Sequence, residues 1–95
     1  MLMEELRKKR EDILSIAFSH GAKKIGVFGS AARGEDNSES DIDFLVDMEK
    51  GKTIIDRIAL LQDLQNFLGR KVDVVSAKSL RPRVKENIYK DYIPL

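Results

Sequence analysis

Asp41 and Asp43 stand one residue apart in the segment SDIDFLVD. On a strand, positions i and i+2 project from the same face, so the two carboxylates would lie side by side. Such a pair repels itself unless something positive sits between its members. Magnesium suits it, because that ion takes oxygen ligands and keeps places for phosphate oxygens and water. Two such ions about 3.5–4 Å apart can stabilise both the attacking and the leaving oxygen of an in-line displacement. The same two residues would also suit the solvated, acidic side of an ordinary strand.

Asp73, in KVDVV, is a third candidate acid. An aspartate inside a valine-rich strand runs against β-propensity, and local rules tend to be broken at functional sites. If its strand neighbours that of Asp43, Asp73 would face the same metals and help to deprotonate an attacking hydroxyl. Otherwise it is an outward residue on an uncovered face. Upstream, Gly29-Ser30 follows the apolar run IGVF and precedes AAR. Glycine lets backbone approach a ligand, serine adds a donor, and the free N–H groups of a helical start favour an anion. No GxxxxGK[ST] loop is present, and Gly-Ser is also common turn chemistry. Arg33 could neutralise phosphate charge or pair at the surface with Glu35 or Asp36.

These residues need elements to hold them. Residues 4–19 have a helical pattern, with Leu6, Ile13 and Ala17 inward and Gly21 as the stop. His20, the only histidine, sits where a cation favours the helix dipole, which suits capping better than catalysis. Residues 24–28 read as a strand, 29–34 as a tight turn or single helical turn, and 36–40 as a polar loop. Residues 41–47 alternate: Ile42, Phe44 and Val46 one way, Asp41, Asp43, Leu45 and Asp47 the other, on a face left open. Thr53 is a fitting N-cap for a helix with Ile54, Ile58, Leu61, Leu64 and Leu68 as its stripe and Gly69 as its end. Residues 71–76 make a third strand. Ser79 would cap a last helix reaching about Tyr92, with Pro82 near its start and Pro94 breaking it. The order predicts an α/β (α+β) fold: a small mixed sheet with helices on one face.

At 95 residues, the chain predicts one domain, 1–95. Seventeen basic against 16 acidic residues leave a net charge of +1, which gives no global attraction to nucleic acid or membrane. Zero cysteines exclude disulfides and thiolate metal sites and fit a cytoplasmic protein. The mixed-charge N-terminus lacks a signal peptide's apolar centre, and no run approaches the ~18 apolar residues of a membrane span. Met1, Leu2 and Met3 are read as loose, or as docking on a partner.

GSAARG followed by SDID resembles the minimal nucleotidyltransferase family within the DNA polymerase beta-like superfamily. That pattern is Gly-Ser, about ten residues, then Asp-x-Asp; here residues 31 to 40 lie between Ser30 and Asp41. Ala32-Arg33-Gly34 and Ser40 match the minimal form, and the ending LRPRVKENIYKDYIPL is similar to the usual end of these domains. The resemblance implies a palm-like mixed sheet, two magnesium ions and ATP as substrate. Gly29, Ser30, Arg33 and Ser40 would serve the nucleotide, with Arg33 a phosphate contact or a motif brace. Asp41 and Asp43 would hold metal, and Asp73 would be the third carboxylate. It also implies an antitoxin that moves AMP from ATP onto a hydroxyl, a tyrosine, of a partner HEPN ribonuclease toxin.

The chain's size points the same way: a sheet this small leaves little surface for both nucleobase and acceptor, so a partner would bring the acceptor. Rival readings are an antitoxin acting by contact alone and a small-molecule enzyme of the aminoglycoside type. A third rival, nucleic-acid binding through Lys78, Arg81, Arg83 and Lys85, ranks below a solvated helix face or protein interface.

Overall fold

Alternation along residues 42–48 makes the central strand, and everything else packs around it. The computed structural model describes residues 2–35, 37 and 40–95; of the expected polar loop, Asp36, Ser38 and Glu39 lie outside the described residues, as does Met1. In chain order the elements are α1 (Leu2–Lys8), α2 (Arg10–Ser19), β1 (Ala22–Phe28), α3 (Gly29–Arg33), β2 (Ile42–Met48), α4 (Ile54–Leu68), β3 (Val72–Ser76), a 3-10 turn (Ala77–Ser79), α5 (Pro82–Tyr89) and β4 (Ile93–Pro94). The four strands form one mixed sheet in the order β3-β2-β1-β4. β1 runs antiparallel to β2 and to β4, and β2 runs parallel to β3.

One face of the sheet is the core. Ile42, Phe44 and Val46 of β2 are fully buried, as are Val27 of β1, Val74 of β3, Leu6 of α1, Ile13 of α2, and Leu60 and Leu64 of α4. α4 starts on a capping box: Thr53 Oγ1 accepts from the Ile55 amide, and the Thr53 amide donates to Asp56 at 2.8 Å. Those bonds hold the Asp56 carboxyl below the usual carboxylate range, chiefly through the Thr53 amide. Gly69 closes the helix at φ +66°, a left-handed turn that glycine adopts without strain. Two α4 side chains then bind β3: Gln65 accepts from the Val72 amide at 3.1 Å, and Arg57 donates to the Val74 carbonyl at 2.7 Å.

The structure departs from the sequence expectations in several places. The first helix is two, broken at Lys9, and Leu2 and Met3 are buried in the core rather than loose. His20 is the C-cap residue of α2, but its imidazole meets Asp63 of α4 instead of helix carbonyls. The stripe of α4 holds in part: Leu64 is buried and Leu61 and Leu68 pack on the core as expected, but Leu60 is buried as well, and Ile54 and Ile58 are exposed by 61% and 46%. Ser79 belongs to the 3-10 turn, and α5 begins at Pro82 without a side-chain cap. Finally, the chain after α5 forms β4 against β1, with Gly26 opposite Pro94 and Val27 opposite Ile93. Proline is tolerated there because β4 is an edge strand. Among the described residues, no helix is long and apolar enough to cross a membrane.

Candidate active site

β2 and β3 run in parallel register, with Ile42 beside Val72 and Asp43 beside Asp73. Paired neighbours in a sheet share a face, so the Asp73 carboxylate stands on the same side as that of Asp43. Asp41 lies one residue ahead of β2 and also bears on Asp43. Burial, then the charges of Asp73 and Asp41, push the Asp43 carboxyl above the usual carboxylate range, and Arg33 opposes them. The three predicted acids thus gather at one end of the open face, with Asp43 electrostatically central.

The Gly29-Ser30 turn adjoins this cluster. Phe28 pairs with Asp43 across the β1–β2 ladder, so the end of β1 meets the start of β2. Gly29 follows at φ +74°, and a Cβ there would stand 2.6 Å from Asp43 Oδ2. Glycine is therefore required twice: by the backbone angle and by the carboxylate against it. α3 starts at Gly29 with no side-chain cap from Phe28, and the first-turn amides of a helix have no partner within the helix. Ser30 is half-buried in that turn, and its carbonyl accepts from the Glu35 amide at 2.9 Å.

Arg33 closes the other side. Its Nε donates to Glu35 Oε2 and its Nη1 to Asp91 Oδ2, each at 2.9 Å. Those two hydrogen bonds, Glu35 first, raise its already high pKa. The surface pairing with Glu35 is present, then, together with a second partner, Asp91, that sequence spacing does not suggest. The alternative partner Asp36 lies outside the described residues. The hydroxyl of Ser40 accepts from the Asn37 amide at 2.9 Å, and its carbonyl accepts from Arg70 at 3.0 Å. In this arrangement Ser40 shapes the loop into Asp41.

Two further basic residues were missed from sequence. Arg70 Nη2 binds the carbonyls of both Asn37 and Ser40 and so fixes the entry to β2. Lys71 Nζ lies 3.9 Å from Asp41 Oδ2. Neither has a local sequence signature, because the partners are 30 or more positions apart. The first strand residues, where β2 and β3 begin together, are the only signal that would have paired them.

The three carboxylates form an all-oxygen donor set, the kind that hard divalent ions prefer. Burial first, and then the neighbouring Asp73 and Asp41 charges, disfavour the ionised Asp43; a cation beside it would offset that cost. Among the described residues, no three acidic or imidazole side chains stand close enough to hold a metal ion as they are. The group is thus chemically fitted to a metal but not a closed cage. A cleft of about 160 Å³ opens further along the same face, between β2 and α5, with Leu45, Asp47, Lys78, Tyr89 and Tyr92 in its lining. It does not include the carboxylates, which meet solvent directly.

A mixed sheet whose edge strand β3 and its neighbour β2 present facing aspartates beside a Gly-Ser turn is the sheet of a nucleotidyltransferase fold. The family profile described as "Nucleotidyltransferase domain" matches residues 3–95. A protein of Methanocaldococcus jannaschii, provisionally named a protein adenylyltransferase, is 37% identical over 93 residues, which cover 98% of this chain and 97% of that one. Protein adenylyltransferase MntA of Thermococcus cleftensis is 35% identical over 91 residues, covering 87% of this chain and 92% of its own. A solved structure provisionally described as a minimal nucleotidyltransferase superposes with a TM-score of 0.89 at 45% identity, over 100% of this chain and 97% of that chain. A crystal structure of a toxin–antitoxin with AMP-PNP matches with a TM-score of 0.78 at 24% identity, over 88% and 69% of the two chains; at that identity the likeness is one of fold alone. The chain belongs to the nucleotidyltransferase domain family.

Proposed function

We propose that this chain is a magnesium-dependent protein adenylyltransferase that acts in the cytoplasm as an antitoxin. It would transfer AMP from ATP to a tyrosine hydroxyl of a partner HEPN-type ribonuclease toxin. The observation that carries the reading is the register of β2 on β3, which sets Asp43 beside Asp73 on the face that Gly29 adjoins. Relatives named as protein adenylyltransferases support the choice of acceptor class.

Each residue then has a task. The Gly29-Ser30 turn receives the β- and γ-phosphates through backbone amides and the serine hydroxyl. Arg33 adds positive charge to the same phosphates. Asp41 and Asp43 would hold two magnesium ions, with Asp73 shared between metal and acceptor. When bound, the ions supply neutralisation of the triphosphate and of the oxygens that enter and leave. The acceptor oxygen attacks the α-phosphorus, and the bond to the oxygen bridging the α- and β-phosphates breaks. Pyrophosphate departs, and the hydroxyl proton passes to the Asp73 carboxylate. Positioning and charge stabilisation carry most of the rate.

The test is incubation with ATP labelled in the α-phosphate, magnesium and the partner chain. Label should appear on the partner and fall by about a thousandfold or more when Asp41→Asn and Asp43→Asn are combined, the scale on which lost electrostatic stabilisation acts. Neutralisation of the toxin by the double variant, with no label seen for the wild type, would establish contact alone as the mechanism.

A further inference from the structure

We propose that Asp91 is a positioning residue for nucleotide binding, acting through Arg33 to fix the guanidinium beside the Gly29-Ser30 turn. The inference rests on the reading of that turn as a triphosphate site. It adds a residue that lies fifty-eight positions from Arg33 in the chain, at the other end of the molecule's sequence.

The two carboxylates that grip Arg33 are not equivalent. Glu35 is the more solvent-open, its side chain 64% exposed against 32% for Asp91, and it lies in the loop that leaves α3. Asp91 belongs to a segment anchored on both sides. Its amide donates to the Ile88 carbonyl at 3.2 Å. The next residue, Tyr92, lies over Gly26, where a Cβ would stand 2.4 Å from the ring. Ile93 then pairs with Val27, and the Leu95 amide donates to the Ile25 carbonyl at 3.0 Å. Arg10 of α2 holds the Leu95 carbonyl at 2.8 Å. The Asp91 carboxylate is thus delivered to Arg33 by backbone fixed to β1, the strand whose end makes the Gly29-Ser30 turn.

That arrangement has a direct physical consequence. A half-exposed arginine loses rotamer entropy when it binds. A hydrogen bond from Nη1 to a fixed acceptor removes that freedom before the ligand arrives. The guanidinium offers five N–H donors in a planar fork, and the contacts to Glu35 and Asp91 leave donors for a phosphate. Arg33 also acts on Asp43 electrostatically, so its placement reaches both halves of the site. The cost is that two carboxylates neutralise part of its charge. Orientation and neutralisation therefore make opposite predictions for the loss of Asp91.

Calorimetric titration with a non-hydrolysable ATP analogue and magnesium decides between them, without requiring any transfer. For Asp91→Ala, affinity should fall about fivefold, the scale of one partly exposed charged contact. Asp91→Asn, which keeps an acceptor oxygen in place, should restore most of the loss. In an Arg33→Ala background, Asp91→Ala should cost nothing further, because the cycle then has no guanidinium to orient. Unchanged or tighter binding by Asp91→Ala overturns the proposal, as does an equal loss with and without Arg33, which would assign Asp91 to anchoring of the tail. Binding by the wild type without transfer to any partner would remove the adenylyltransferase reading and leave this one standing. Absence of binding by the wild type would remove both.

Discussion

Along β2, Ile42, Phe44, Val46 and Met48 point into packed helices, whereas Asp43, Leu45 and Asp47 point toward a face that the C-terminal segment crosses. The first face contains no buried polar side chain among the described residues. Each of its large residues contributes roughly 1.5–3 kcal/mol by leaving water. The second face is divided. At the Asp47 end, Leu45 is only 2% exposed, in a cleft walled by Tyr89 and Tyr92, which stack edge to face at 5.1 Å between centroids. At the other end the carboxylates stay open. One strand therefore has its packed core on one side and the candidate site on the other, with the tail over the far end of that second side.

If that division holds, damage to the helical face should be costly and unrelated to the site. Phe44 is the largest fully buried side chain and sits mid-strand between Asp43 and Leu45. Phe44→Ala should destabilise by about 3–5 kcal/mol, seen as a lower midpoint in urea with little change in slope. A loss under about 1 kcal/mol would mean that the helical face is not the main source of stability.

The tail-covered part of the other face should respond less. Gly26 has no special backbone angle, but a Cβ there would meet Tyr92 ring atoms at 2.4–2.6 Å. Those atoms are the far end of a side chain, so the ring can swing aside. Gly26→Ala should cost about 1–3 kcal/mol, the usual range for overpacking. The loosened Tyr92 should appear as altered tyrosine fluorescence. A cost as large as that of Phe44→Ala would make the tail part of the core and erase the contrast.

How much of this was legible in sequence follows from the range of each signal. The capping residues Thr53 and Gly69 and the side-chain directions along β2 act within a few residues, and each is found where expected. Asp73 became legible as a neighbour of Asp43 only through the parallel register of two strands. The stripe of α4 held at Leu61, Leu64 and Leu68 but not at Ile54 and Ile58, and it missed Leu60, because spacing alone does not say how much of a helix the sheet covers. β4 failed because Pro94 reads as a breaker when it is in fact the edge residue opposite Gly26. Leu45 was assigned to an open face, since nothing local announces that Tyr92 returns to cover its neighbourhood. The Arg33–Asp91 bridge is beyond local reading altogether.

The smallest expected effect tests the open end of the face most directly. Asp43 has a folded-state pKa above its ordinary value, from burial and from Asp73 and Asp41. In the window just above the ordinary carboxylate range, the folded protein therefore holds more protons at this site than the unfolded chain. Stability from this group is present below the unfolded pKa and is lost as pH rises through the folded one. Ionising this carboxyl therefore costs the folded protein more than it costs the unfolded chain. Asp43→Asn removes the charge without changing the shape, so it should raise the thermal midpoint of the metal-free protein slightly at pH 7 and flatten its fall as pH rises above the ordinary carboxylate range. Magnesium with nucleotide should raise the wild-type midpoint more than that of the variant, because bound ligand stabilises by mass action. A lower midpoint for metal-free Asp43→Asn at pH 7 would mean that the carboxylate holds the strands together, and the separation of chemistry from stability on β2 would no longer stand.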